Sequence, residues 1–375
     1  MKKVGIITIH NAYNYGAVLQ AYATQDVVSS FVSDCEIIDY DAKKFRDSRK
    51  IFLPIISAGN IIHNIRSVIY LKSIIKRIKN FKSFMNRRYK LSSIKYHSED
   101  DFTNLDYDFV ITGSDQTFCL HLRGNQDEMK PFFLDNVMKK KISYASSMGE
   151  KISDITDEEK EWMANRFNEY SCLAVREENT AKYIESLTGR RPEVVLDPTL
   201  LLTKEKWDEL ASTTKYDKNN YILFYTVLSD KWVVDYVTSI SKITGLKVIA
   251  IHPHNRFEFK SSFVRADYSG PCEFISLIKN AKLVITTSFH ATVFSVIYNI
   301  PFYSLLLGEG NRISSILNDL NLKNRIIKEN FDKKLINADF NLDFTQANQL
   351  LDVERQRSFK YLKKALEIEG KDEDL

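Results

Sequence analysis

Along most of this chain, short apolar runs rich in β-branched and aromatic residues alternate with stretches of helical periodicity. VGIITIH (4–10), EIIDY (36–40), DFVITGS (108–114), ISYASS (142–147), LAVRE (173–177) and VVLDP (194–198) make one series of strand candidates. YILFYTV (221–227), KVIAIH (247–252), LVITTS (283–288) and FYSLLL (302–307) make a second. Many of these runs are continuously apolar, as parallel strands covered on both faces must be. Between them, TDEEKEWMANRFNEY (156–170) and GPCEFISLIKNA (270–281) have the spacing of covering helices. The alternation restricts the chain to βαβ units wound into open, doubly wound parallel sheets, an α/β fold.

Length then sets the number of sheets. The 375 residues exceed one ordinary α/β domain and suit two. The break is expected within 196–220, which runs from Pro198 to a polar DKNN before Tyr221 opens the second strand series. This predicts a Rossmann-like domain over 1–200, a second over 201–344, and a C-terminal helix and tail over 345–375, with Thr345 as N-cap. Two such domains facing each other leave a cleft at the carboxyl ends of their strands, where ligands bind in open sheets.

Composition excludes other classes. The chain is 44% hydrophobic with 12 Gly and 7 Pro, too apolar and too poor in breakers for extended disorder. IFLPIISAGNIIHNI (51–65) is too short to span a bilayer and contains Pro54, Gly59 and His63. The first residues read as a strand, not a signal peptide. Cys35, Cys119, Cys172 and Cys272 form no CxxC pair, so free thiols in a reducing cytoplasm are expected. No metal site is expected, since His252 and His254 stand alone.

Charge is unevenly placed. Residues 42–98 hold fifteen Lys or Arg and one acid, Asp47, while the remainder holds 38 basic and 48 acidic residues. Isoleucines recur at helical spacing among these cations. The pattern describes a basic amphipathic helical insertion, either lying on an anionic membrane surface or packed on the first domain with its cations solvated. Nucleic acid is not expected as a partner, because the acidic remainder would repel it.

Four strand-to-helix corners carry polar residues, and such corners bind ligands because helix-start N–H groups are unpaired. In HNAYNYGAVLQAYA (10–23), Asn11, Asn14 and Gly16 make either a simple turn or a sugar- or phosphate-contacting loop, Gly16 allowing positive φ or a close approach. In ITGSDQTFC (111–119), Ser114, Asp115 and Gln116 follow a buried strand, with Asp115 either an N-cap or a functional carboxylate. In LAVREENT (173–180), Arg176 has Glu177 and Glu178 as obvious ion-pair partners. In TTSFHATVFSVIYNIPF (286–302), His290 begins a helix among Thr286, Thr287, Ser288 and Thr292, whose hydroxyls with free N–H groups make an anion site. Downstream, LGEGNRISSIL (307–317) adds Gly308, Gly310 and Arg312, but Ile313 breaks a dinucleotide fingerprint.

With these motifs in this order, the sequence resembles the polysaccharide pyruvyl transferase family. The residues that carry the resemblance are GIITIHNAYNYGAVLQAYA, GSDQTF, KISYASSMG, VREEN, VLDPTLLL, LVITTSFHATVFSVIYNIPF and NRISSIL; the basic segment matches poorly. The resemblance implies a GT-B-like fold and transfer of a pyruvyl group from phosphoenolpyruvate to a sugar, giving a cyclic ketal, with no further cofactor. It places the family's functional residues on Arg176, His290 and Arg312; the chemistry then asks for His290 as acid or as stabiliser of the oxyanion and for the two arginines as donor clamps, with Ser288 and Thr292 beside the donor. Asn11, Asn14, Gly16, Ser114, Asp115 and Gln116 would face a free or lipid-linked saccharide acceptor. The chain departs from many relatives at Ser288, where they carry arginine, so a phosphate contact made there is absent or comes from elsewhere. The implied location is cytoplasmic, at the inner face of the membrane. A nucleotide-sugar glycosyltransferase would share the fold but needs an acidic ribose contact, for which Glu309 and Asp319 are poorly spaced. A non-catalytic polyanion binder would use the basic segment alone.

Overall fold

The computed structural model describes residues 2–98, 102–103, 105–122, 126–149, 155–213, 216, 218–227, 230–252, 262–308, 311–329 and 338–368. Its first large sheet contains β1 (Lys3–Ile7), β2 (Asp34–Tyr40), β3 (Leu91–Tyr96), β4 (Phe109–Thr112), β5 (Lys140–Ser143) and β6 (Tyr170–Cys172). β7 (Ala174–Val175) and β8 (Glu193–Val194) pair separately. The second large sheet contains β9 (Tyr221–Tyr225), β10 (Lys247–Ile251), β11 (Val264–Arg265), β12 (Leu283–Thr286), β13 (Phe302–Leu305) and β14 (Ile326–Ile327). Every pairing in both is parallel.

The two sheets repeat one topology. The first runs β3-β2-β1-β4-β5-β6 and the second β11-β10-β9-β12-β13-β14. Each therefore starts in its middle, winds outward, and reverses beside its first strand. The reversal opens a crevice at the carboxyl ends of β1 and β4, and of β9 and β12. The central strands are buried along their whole length, as continuous apolar runs require.

The helices of the first half are α1 (Tyr15–Ser29), α2 (Lys43–Asp47), α3 (Ala58–Ile69), α4 (Leu71–Arg88), α5 (Asp157–Asn168) and α6 (Glu178–Thr188). Those of the second are α7 (Lys204–Asp208), α8 (Lys231–Thr244), α9 (Pro271–Lys279), α10 (Phe289–Ile297), α11 (Asn311–Asp319) and α12 (Thr345–Ala365). α5 opens with a reciprocal capping box between Thr156 and Glu159. The long α12 returns to the first sheet: Tyr361 Oη donates to the Ser143 carbonyl at 2.8 Å, and Arg355 Nε to that of Leu200 at 2.6 Å.

α1 is buried on nearly every side, Gln20, Thr24 and Gln25 included, the condition of a helix enclosed by protein. Tyr15 at its start stacks on Phe274 of α9 at 4.3 Å and donates to the Ser269 carbonyl at 2.7 Å. The first helix after one sheet is thereby seated on the helices of the other.

Several expectations need correction. Residues 42–98 are not wholly helical, because Leu91–Tyr96 is the edge strand of the first sheet. α4 packs on more than the first half: it buries Ile74, Arg77, Phe81 and Phe84, and Asn80 Nδ2 donates to the Tyr268 carbonyl of the second half at 3.2 Å. The LAVRE and VVLDP runs lie outside the large sheets, in the two-stranded β7–β8 pair. Thr345 is the first helical residue of α12, preceded by Phe344 as cap. The four cysteines are unpaired, as expected. Among the described residues, no helix is long and apolar enough to cross a membrane.

Tyr15 tests the coupling of the halves. Tyr15→Phe leaves the Ser269 carbonyl without its donor and should destabilise by about 1 kcal/mol. Tyr15→Ala should cost about 3–5 kcal/mol, both read by urea unfolding.

Candidate active site

Helix starts and strand ends bring all four corners to one place, through Gly16, Ser114, Arg176 and His290. Asn14 caps α1, its side chain accepting from Ala17 N at 3.2 Å. Gly16 follows within the first turn, and a Cβ there would lie 2.0 Å from His290 Nδ1. Gly16 is thus explained by the ring of His290 pressed against it from the other half, not by a turn.

His290 stands in the first turn of α10, which Ser288 caps by accepting from Ala291 N at 3.5 Å. The other face of the ring meets a buried carboxylate. His290 Nε2 lies 3.6 Å from Asp197 Oδ2 and has no hydrogen-bond partner, although the side chain is 9% exposed. Phe289 packs edge-on to the ring at 5.1 Å.

Asp197 ends the VLD run and is 1% exposed. Its Oδ2 receives Arg176 Nη1 at 2.8 Å and Ser114 Oγ at 3.1 Å. Its Oδ1 receives the Thr199 amide at 3.0 Å and the Thr199 hydroxyl at 2.6 Å. Burial alone would push this carboxyl up. The His290 ring, then Arg176 and Thr199, outweigh burial and hold it far below the usual carboxylate range.

Arg176 is also buried, its guanidinium 4.9 Å over the Phe289 ring. Burial would lower its pKa, but Asp197, Glu177 and Asp115 outweigh that and raise it. Nε and Nη2 lack hydrogen-bond partners. The ion pair therefore differs from the expected one. Asp197 is the close partner, Glu177 Oε2 stands 3.6 Å from Nε, and Glu178 pairs with Arg191 at 2.5 Å. Arg312, on α11, joins Arg176, Asp197 and Phe289 around a small cavity of 30 Å³, room for about a water by the usual minimum of ~10–15 Å³.

The remaining expected residues take other places. Thr292 is fully buried, its hydroxyl bonded to the Ser288 carbonyl at 3.1 Å and to Ser304 Oγ at 2.7 Å, so it faces the sheet and not the cleft. Thr286 donates to the Tyr225 carbonyl at 2.6 Å, and Thr287 meets Thr226 Oγ1 at 2.9 Å. The hydroxyl cluster read as an anion site is thus largely engaged in holding the corner. Asp115 caps no helix. It has φ 79° in a turn after β4, and its Oδ1 accepts from Gln116 N at 2.9 Å. Such a φ is uncommon for a residue with a side chain, and strain of this kind gathers at functional sites. The Gln116 side chain lies against Gly149. The Asn11 carbonyl accepts from Arg49 at 2.6 Å. His252 is buried, with its amide on Asp267 at 2.7 Å. His254, Glu309 and Gly310 lie outside the described residues.

Sequence reasoning missed Asp197 as a site residue. The signal was present as an acid closing an apolar run directly before Pro198. Asp197→Asn keeps the size but leaves Arg176 buried without its counter-charge, and should destabilise by about 3–5 kcal/mol. Since the folded carboxyl titrates below the unfolded value of about 3.9, this stabilisation is full above that pH and fades as pH falls into strong acid. The gap in unfolding free energy between wild type and Asp197→Asn should hold from about pH 5 to 8 and shrink below about pH 4.

The fold is shared with solved structures at low identity. UDP-N-acetylglucosamine 2-epimerase from Rickettsia bellii is 12% identical, covers 98% of this chain and 97% of its own, with TM-score 0.50. UDP-GlcNAc 2-epimerase from Methanocaldococcus jannaschii, in complex with UDP-GlcNAc and UDP, is 11% identical over 94% of this chain and 99% of its own, with TM-score 0.50. These likenesses establish a GT-B architecture. No curated protein matches the sequence. The family model for polysaccharide pyruvyl transferase matches residues 14–307, a span that contains Gly16, Arg176, Asp197 and His290. The chain belongs to the polysaccharide pyruvyl transferase family.

Proposed function

We propose that the protein moves the pyruvyl group of phosphoenolpyruvate onto two hydroxyls of a saccharide, forming a ketal and releasing phosphate. The observation that carries this reading is the meeting of His290 and Arg176 on the one carboxylate of Asp197, between two doubly wound sheets. A protonatable ring, a carboxylate that orients it and an arginine fork meet where such folds bind ligands.

Protonation of the donor's methylene carbon by His290 makes the neighbouring carbon electrophilic. One sugar hydroxyl adds there, the C–O bond to phosphate breaks, and the second hydroxyl closes the ring. Of the two hydroxyl protons, one restores the ring and one leaves on hydrogen phosphate. Asp197, 3.6 Å from Nε2, offers the counter-charge for the protonated imidazole. The guanidinium forks of Arg176 and Arg312 suit the carboxylate and phosphate of the donor. The 30 Å³ between them is too small for it, so on this reading the pocket widens and Arg176 turns its unpartnered Nε and Nη2 to the ligand. The acceptor is placed on a lipid carrier, and the insertion on an anionic membrane surface. Two features support that placement.

The first is the inverted polarity of α3. Ile61, Ile62, Ile65, Val68 and Ile69 are exposed, while His63, Arg66 and Ser67 turn inward. Ile55 and Ile56 before it are 74% and 84% exposed. An aliphatic face turned to water marks an interaction surface. The second is the exposed row Lys72, Lys79 and Lys82 on the adjoining α4, which suits anionic headgroups.

His290→Gln keeps the size but cannot donate a proton from a cation. Turnover, measured as phosphate released from phosphoenolpyruvate with a lipid-linked saccharide, should fall by about two to four orders of magnitude, with the melting temperature held. Near-normal turnover per folded molecule would remove His290 from the chemistry. Serine at Ile61, Ile65 and Ile69 together should weaken binding to anionic liposomes by about tenfold or more, given roughly 1.5–3 kcal/mol per buried aliphatic side chain. Turnover on a short soluble acceptor should survive.

A further inference from the structure

The inward face of α3 does not pack into a core. It closes a cavity of 330 Å³ bounded by the β1–α1 loop at Tyr13 and Asn14, by α3 and α4, and by Val227 after β9. That is the lower end of the range for small-molecule sites, about 300–1,000 Å³. Arg49, Lys50, His63, Arg66 and Arg77 line it, and none of its described lining residues is an Asp or Glu.

Arg77 decides what this space can hold. It lies on the buried face of α4, 8% exposed, and its Nε and Nη1 have no hydrogen-bond partner. A buried guanidinium with unfilled donors is unfavourable unless something anionic completes it. The nearby carboxylates are otherwise engaged. Asp41 holds Arg49 at 2.8 Å, and Asp267 takes Arg265 at 2.5 Å and the His252 amide at 2.7 Å.

We propose that this cavity is a phosphate-binding subsite, built by the insertion and separate from the Arg176–Asp197–His290 cluster, that holds the diphosphate ester of the acceptor. The planar fork of Arg77 suits two phosphoryl oxygens, and the neighbouring cations suit the charge of a diphosphate. The position fits an ester whose lipid lies along the exposed face of α3 while its sugar extends past Asn14 toward His290. Identifying the anion as part of the acceptor rests on the transferase reading; the anion site itself rests on the cavity and Arg77.

The test is calorimetric titration of the full chain with inorganic pyrophosphate, geranyl diphosphate and phosphoenolpyruvate, using wild type, Arg77→Gln and His290→Gln. Wild type should bind pyrophosphate, and geranyl diphosphate at least as tightly. Arg77→Gln should weaken both by about 10- to 100-fold, the size of a lost charged hydrogen bond, and leave phosphoenolpyruvate within about twofold. The ligand-free melting temperature of Arg77→Gln should stay level or rise, because a buried guanidinium with unfilled donors is removed; a structural arginine would lower it. Absence of pyrophosphate binding, or binding indifferent to Arg77→Gln, overturns the subsite. Binding of pyrophosphate with exclusion of its geranyl ester overturns the assignment to a lipid-linked acceptor, leaving free phosphate as the source. Equal loss of phosphoenolpyruvate in Arg77→Gln makes the cavity the donor's and also overturns it. His290→Gln should bind both diphosphates as wild type does, so a failure of the transferase chemistry and a failure of the subsite give different results.

Discussion

Asp197 carries a full charge in a place with almost no water, and its neighbours are arranged to make that tolerable. A bare carboxylate buried to this depth would be strongly unfavourable. Arg176, Ser114 and Thr199 fill its two oxygens, and the His290 ring stands just beyond hydrogen-bond range. These partners come from after β7, after β4, from the turn that follows Asp197 itself, and from the second sheet's α10. One residue thus ties the first sheet's switch-point loop, a short separate strand pair and the opposite half of the molecule into one cluster. Buried ion pairs are weak evidence for stability, since apolar replacements often do as well. Their retention here fits a site whose charge is used.

The repetition of one strand order explains why the cluster forms where it does. Each sheet reverses beside its first strand, so each presents two loops and a helix start at the same edge. Placed face to face, α1 from one reversal and α10 from the other meet end to end. Gly16 and His290 are the point of contact, and a side chain at position 16 would occupy the ring's space. Tyr15, stacked on Phe274, fixes the same approach one residue earlier. The precision of the site and the packing of the halves therefore share one origin.

The insertion follows a different logic. α4 is seated between the halves by Phe81, which packs on Tyr13 and Tyr15, and by Asn80. Its outer neighbour α3 is turned so that polar groups face protein and aliphatic ones face solvent. A soluble surface helix ordinarily has the reverse arrangement. Anchored on one side and apolar on the other, the pair carries the exposed aliphatic surface on which the proposed membrane docking rests.

The doubly wound architecture was legible because hydrophobic periodicity is local, and strands such as Leu283–Thr286 need only their own residues to be recognised. The exact helix starts were less legible: Thr345 and Asp115, the cap candidates, cap no helix, while Asn14, Thr156 and Ser288 do so through bonds to residues three positions on. His290 and Arg176 were legible as polar residues at strand ends. Other features depend on partners remote in sequence, and no periodicity announces them. Leu91–Tyr96 is a strand because β2 offers it an open edge, although half of its residues are polar and it follows a basic helix. Arg176 pairs with Asp197 rather than with its neighbour Glu178, because the chain bends the distant carboxylate against it. Thr292 turns to Ser304 because the sheet, not the cleft, lies on that side of α10. The amino-acid sequence determined which segments become the central strands and covering helices, and so the fold class. Tertiary packing alone decided which buried charges meet, because a burial penalty can be met only by groups that folding brings within a few ångströms.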